Sequence, residues 1–172
     1  GADAVKVQLW RASHFPKGEK SKSDEFAREQ FREFVQIAHG WDMLAGASVF
    51  DASAVFLAAS GDFLKLATRE ERNWPLRLLC LVVGRARGIP VLRSVDARHN
   101  RVQHQWTGEV SLECVPEYPD DLSVTWVPTV RPMGMSSHSR GYAACLSVVK
   151  DGATVIEKHL CSPSNRNDWS LL

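Results

Sequence analysis

Seven short apolar runs, most of them separated by helical patterns and each closing on polar side chains, constrain this chain more than any other feature. The clearest is Gly152–His159, GATVIEKH, in which Ala153 to Ile156 run into Glu157, Lys158 and His159. A buried parallel strand with a charged cluster at its carboxyl end reads this way. About twenty residues upstream, Met133–His138 is another short run, ending in Ser136, Ser137 and His138. In open α/β sheets and barrels, ligands collect at the carboxyl ends of strands. Two histidines at the ends of consecutive strands could face one cavity, and neutral imidazole is a common ligand for divalent metals. One of the two could equally be a capping or internally satisfied histidine.

The remaining runs follow in order. Residues 4–9 give a first strand carrying Lys6 and Gln8 among apolar neighbours. Such groups need a partner or a cavity unless their face is exposed. Residues 11–22 read as a long loop with Pro16 and Gly18, of the kind that can act as a lid. A helix is expected over 24–39, capped by Ser23 and ended by Gly40. The second strand, 43–50, ends near Ser48; Asp51 then caps a short helix to Ala59, with Val55 and Phe56 turned inward. The third strand, 61–70, carries Lys65, Thr68 and Glu70. Asn73 and Pro75 open the next helix, whose inner face is Leu76, Leu79, Cys80 and Val83. The fourth strand, 89–95, ends at Ser94, and 97–108 makes a poor helix. The fifth, 109–115, runs into Pro116 and Tyr118; residues 120–128 are too few for a full crossover helix. A sixth strand over 129–136 and a helix over 140–150 precede the seventh strand, and 161–172 form a polar tail.

Strands alternating with helices argue for a parallel α/β fold. Neither GxGxxG nor GxxxxGK[ST] occurs, so dinucleotide and P-loop readings have little support. Ser48, Thr68, Ser94, Tyr118, Ser136, His138 and His159 recur at strand ends, the polar rim of a TIM-type (β/α) barrel. A full barrel has eight strands and typically about 250 residues. This chain, with 172 residues and seven recognisable strands, reads as one incomplete barrel domain over 1–172. A hydrophobic content of 44% suffices for one core, and a net charge of +1 makes no case for nucleic acid. No apolar run approaches the roughly 18 residues of a membrane span, and no signal peptide pattern opens the chain. Cys80, Cys114, Cys145 and Cys161 lack CxxC spacing and read as thiols in a reducing, cytoplasmic compartment.

These strand ends resemble the sialic acid synthase family, the phosphoenolpyruvate-condensing N-acetylneuraminate synthases. GADAVKVQ is similar to the family's GADAVKFQ, LKLATREERNWPL to YKIASGDLTNLPL, and GIPVLRS to GKPVILS. LECVPEYP resembles LHCTSEYP, GMSSHSRG resembles GYSDHTLG, GATVIEKHL resembles GASVIEKHF, and NDWSL resembles the PDHxxSL tail. Any one match is weak; seven in the right order, most of them at strand ends, are specific for common ancestry.

The resemblance implies condensation of phosphoenolpyruvate with N-acetylmannosamine or a related amino sugar, releasing phosphate. It implies that His138 and His159 hold a divalent metal, manganese or magnesium, acting as a Lewis acid on the sugar aldehyde. Lys6, Lys65, Ser48, Thr68 and Ser136 would bind phosphoenolpyruvate, with Gln8 supporting that end and Ser94 beside them. Ammonium charges and hydroxyl donors suit a trianion. Glu70 would handle protons or water, and Tyr118 and Asp168 would contact the sugar.

The departures also carry expectations. The family's first strand, with its glutamate, has no counterpart here, nor has its antifreeze-like carboxy-terminal domain. The aspartate of the SDH motif is Ser137, the position two before the tyrosine is Pro116, and the glycine after the fourth strand's motif is Asp96. Arg69 replaces the glycine of SGD and would push a cation toward the site. These changes keep an alternative open: a degenerate relative that retains the fold, and a phosphate or sugar-acid pocket, without the chemistry. A sheet lacking the first strand would expose edges at both ends, to be covered by a second copy, a tail or a shifted barrel.

Overall fold

The structure is a computed structural model and describes residues 2–9, 30–98, 106–120 and 134–160. The expected loop over 11–22, the helix start at Ser23, most of the segment over 97–108, the start of the sixth strand, Cys161, Asp168 and the tail lie outside these residues. The strands are β1 (Ala4–Gln8), β2 (Leu44–Ser48), β3 (Phe63–Leu66), β4 (Val91–Asp96), β5 (Glu109–Cys114), β6 (Gly134–Ser137) and β7 (Val155–Lys158). The helices are α1 (Phe31–Gly40), α2 (Ala52–Ala58), α3 (Trp74–Arg87) and α4 (Ala143–Lys150). Strand order follows sequence order from β1 to β7. The pairs β1–β2, β2–β3, β5–β6 and β6–β7 are parallel. This is a parallel α/β fold with the strand succession of an incomplete TIM-type barrel. No helix among the described residues is long and apolar enough to cross a membrane.

The chain forms two compact units, Gly1–Leu92 with Thr107–Glu109, and Arg93–Trp106 with Val110–Leu172. In the first, the period of two along each strand sorts side chains cleanly. Leu9, Ala45, Ala47, Val49, Leu64 and Leu66 join a core with Phe31, Val35 and Ala38 of α1, Ala54, Val55 and Ala58 of α2, and Leu76, Cys80 and Val83 of α3. The intervening residues Lys6, Gln8, Gly46, Ser48, Phe63 and Lys65 lie on the other face. Gly46 is required there, because a Cβ would stand 2.4 Å from the Phe63 ring.

Local chemistry sets the helix ends. The Asp51 carboxylate accepts from Ala54 N–H at 2.7 Å and starts α2. Asn73 Oδ1 accepts from Leu76 N–H, Pro75 occupies the first turn of α3, and Gly88 closes it at φ 69°. Such caps satisfy backbone groups the helix leaves orphaned. Arg77 of α3 grips Glu109 at the start of β5 through two parallel bonds of 2.5 and 2.6 Å.

Three expectations are corrected. Phe56 points outward, 63% exposed, because Ala54, Val55 and Ala58 fill the buried stripe of α2. The third strand stops at Leu66, and Thr68–Glu70 form a 3-10 turn that leads to the Asn73 cap. The seventh strand is not buried: all four of its residues are of intermediate exposure, as suits the last strand in the order, flanked by β6 alone among the described residues.

In the second unit, Ala144 and Val148 of α4 pack on Met135 of β6, with Ala153 and Ile156 alongside. The opposite parity carries Gly134, Ser136 and Glu157. Gly134 is as tightly held as Gly46, since a Cβ would lie 2.2 Å from the Val155 carbonyl oxygen.

Candidate functional site

In the first unit, register brings the polar residues of three strands into one row. Gln8 pairs with Ser48, and Ser48 with Lys65. Lys6, two residues before Gln8 and so on the same face, donates from Nζ to Ser48 Oγ at 2.9 Å. Ser48 and Lys65 are 3% and 2% exposed, and Lys65 Nζ donates to the Leu66 carbonyl at 3.3 Å. Two ammonium groups, a hydroxyl and an amide on one sheet face form a cationic, donor-rich surface suited to a phosphate or carboxylate. Thr68 lies in the 3-10 turn just past β3. Glu70 accepts from Asn73 Nδ2 at 2.8 Å, beside the start of α3. The Arg69 guanidinium lies 5.3 Å over the Phe50 ring.

The second unit gathers the histidines. His138 follows β6 and His159 follows β7, so parallel pairing sets them side by side, with ring centroids 5.1 Å apart. Tyr118, just past β5, stacks on His138 at 3.9 Å and meets His159 edge-on at 5.6 Å. His138 is 4% exposed and donates from Nδ1 to the Val115 carbonyl at 2.8 Å. That bond selects the tautomer with the lone pair on Nε2, the arrangement of a ligating histidine oriented by a backbone carbonyl. Among the described residues no group of three His, Cys, Asp or Glu could hold a metal. The cluster offers a cation two adjacent imidazoles as protein donors, and no third such donor among the described residues. Ser94, 2% exposed, stands near the end of β4.

Glu157 escaped the sequence reading of the site. It pairs with Ser136 across β6 and β7 and accepts from Ser136 Oγ at 3.1 Å. The signal was present: Glu157 precedes His159 by two residues, one strand period. Cys114 Sγ lies 3.8 Å from His138 Nδ1. The Ser137 departure proves separate from the histidines. Its hydroxyl bonds Ser139 Oγ at 2.8 Å and receives the Lys158 ammonium at 3.4 Å, on the strand parity that faces α4. Lys158 also donates to the Ser139 carbonyl, and burial holds its pKa below the usual lysine value.

No curated protein and no solved structure matches the chain. The NeuB family model matches residues 1–170, nearly the whole sequence, with the strand-end residues just described inside the match. The chain belongs to the NeuB family, the sialic acid synthase family that its strand-end motifs resemble.

Proposed function

We propose that the protein condenses phosphoenolpyruvate with N-acetylmannosamine or a related amino sugar to give a sialic-acid-type nonulosonate and inorganic phosphate. The observation that carries this reading is the pair of histidines, one with its tautomer set by a backbone carbonyl, capped by Tyr118 in a chain of this family. The family resemblance supports a role for Lys6 and Lys65 in neutralising the phosphate and carboxylate of phosphoenolpyruvate, with Ser48, Gln8 and Thr68 as hydrogen-bonding groups in the same unit. Tyr118 lays an aromatic face and a hydroxyl against the sugar, with Asp168 as a further sugar contact. By the resemblance Glu70 would help move protons when water adds to the substrate and phosphate departs, and Glu157, bonded to Ser136, is a further carboxylate suited to that work. His138 and His159 would hold Mn2+ or Mg2+, which when bound supplies Lewis-acid polarisation of the sugar aldehyde.

The test is phosphate release from phosphoenolpyruvate with manganese and a panel of N-acetylated amino sugars, beside His138→Ala. We expect release that requires both metal and sugar and falls by about 100-fold or more in the variant. Absence of release with every sugar, from folded protein, would leave a relative that keeps the fold without the chemistry.

A further inference from the structure

At the end of β4 lies an ion network that includes Asp96, a position where this chain departs from the motif it resembles. Asp96 is 5% exposed. Its Oδ1 accepts from the Arg98 backbone N–H and from Nε, both at 3.0 Å, and its Oδ2 accepts from Nη2 at 2.8 Å. Such a two-pronged grip fixes the plane of a guanidinium, not only its charge. The remaining prong, Nη1, donates to Glu117 Oε1, and both carboxylates hold the arginine still more firmly protonated than usual. Glu117 immediately precedes Tyr118, the residue stacked on His138.

The segment around Tyr118 is thus tied at three places. Before it, the Val115 carbonyl accepts from His138 Nδ1; after it, Asp120 N–H donates to the His138 carbonyl at 3.1 Å. Those two ties join the segment to His138 itself, whereas Glu117 ties the intervening turn to Arg98. Arg98 supplies that restraint from a different strand end. The guanidinium is shared by two carboxylates, so it is not an anion site; its geometry suits holding. Glu117, with its side chain 59% exposed, has no packing reason to stay where it is.

We propose that Arg98 is a positioning residue, clamped by Asp96, that acts through Glu117 to hold Tyr118 on His138 and so shape the sugar side of the site. The role in sugar binding rests on the condensation reading above; the positioning of the ring does not. The first measurement is therefore independent of turnover. Aromatic ring-current shifts on the His138 ring protons are read by NMR in the metal-free full-length protein at fixed pH, with His138→Asn to assign them and Tyr118→Leu to define the unstacked value. In Arg98→Ala and in Glu117→Ala, the Tyr118-dependent shift should fall by about half or more, while Glu117→Gln, which keeps the acceptor, should retain most of it. Arg98→Ala strands a buried carboxylate. If it does not fold, Glu117→Ala decides the matter, because it leaves the Asp96–Arg98 pair intact. An unchanged shift in folded Arg98→Ala or Glu117→Ala overturns the proposal. Where turnover is measurable, KM for the amino sugar should rise about tenfold with KM for phosphoenolpyruvate unchanged, a split that mere loss of stability does not produce. Lost turnover in the parent protein would count against the condensation, and the ring shifts would still decide the role of Arg98.

Discussion

Glu113 shows how burial alone can tune one residue. It sits on β5, Oε2 is enclosed without a hydrogen-bond partner, and desolvation raises its pKa from 4.5 to about 7. The folded state therefore prefers the protonated acid. Its contribution is fully present below the unfolded value of 4.5 and is lost as pH climbs through about 7. Glu113→Gln should raise stability by about 1–2 kcal/mol near pH 8 and change it little near pH 4, allowing for partial solvation. Urea unfolding at the two pH values checks this; an equal effect at both would mean the carboxyl is solvated. Lys6 makes a complementary case. A lysine in an apolar strand announces in the sequence that something must answer its charge. That the answer is Ser48, 42 positions away, is a matter of register.

At the level of elements, caps are the most legible features, because a cap is a contact between residues three apart. Asp51 and Asn73 start their helices where their side chains said they would. Helix faces are less legible: α2 offers Phe56 to solvent because its small residues allow α2 to lie close against the sheet. The α3–β5 join rests on Arg77 and Glu109, whose side chains are 12% and 0% exposed. Removing one partner of such a pair leaves a buried charge. Arg77→Ala should therefore cost about 3–5 kcal/mol, and Arg77→Met with Glu109→Leu should recover most of it. Chemical denaturation of the single and double variants tests the pair; additive losses in the double variant would refute the coupling.

For the whole molecule, thiol chemistry gives a simple readout of the cores. Cys80, Cys114 and Cys145 are buried and form no disulfide. Burial, with Glu109 and Glu70 nearby, pushes the Cys80 thiol up to about 12, so little of it is thiolate at neutral pH. In native protein these three should alkylate about 100-fold or more slowly than in urea, read by mass spectrometry of the labelled peptides. Fast labelling of Cys80 under native conditions would show that the α3 core opens locally. The sequence by itself determined the alternation of strands and helices, the caps, the polar residues at strand ends and the family, because periodicity, turn chemistry and motif order are local or linear properties. Tertiary structure alone decided which polar groups meet. Parallel register pairs Ser136 with Glu157 and sets His138 beside His159, strand parity turns Ser137 away toward α4, and Arg98 reaches Glu117 from another strand end. Those contacts join residues about twenty positions apart, and their energies depend on a register and a facing that only the assembled sheet imposes.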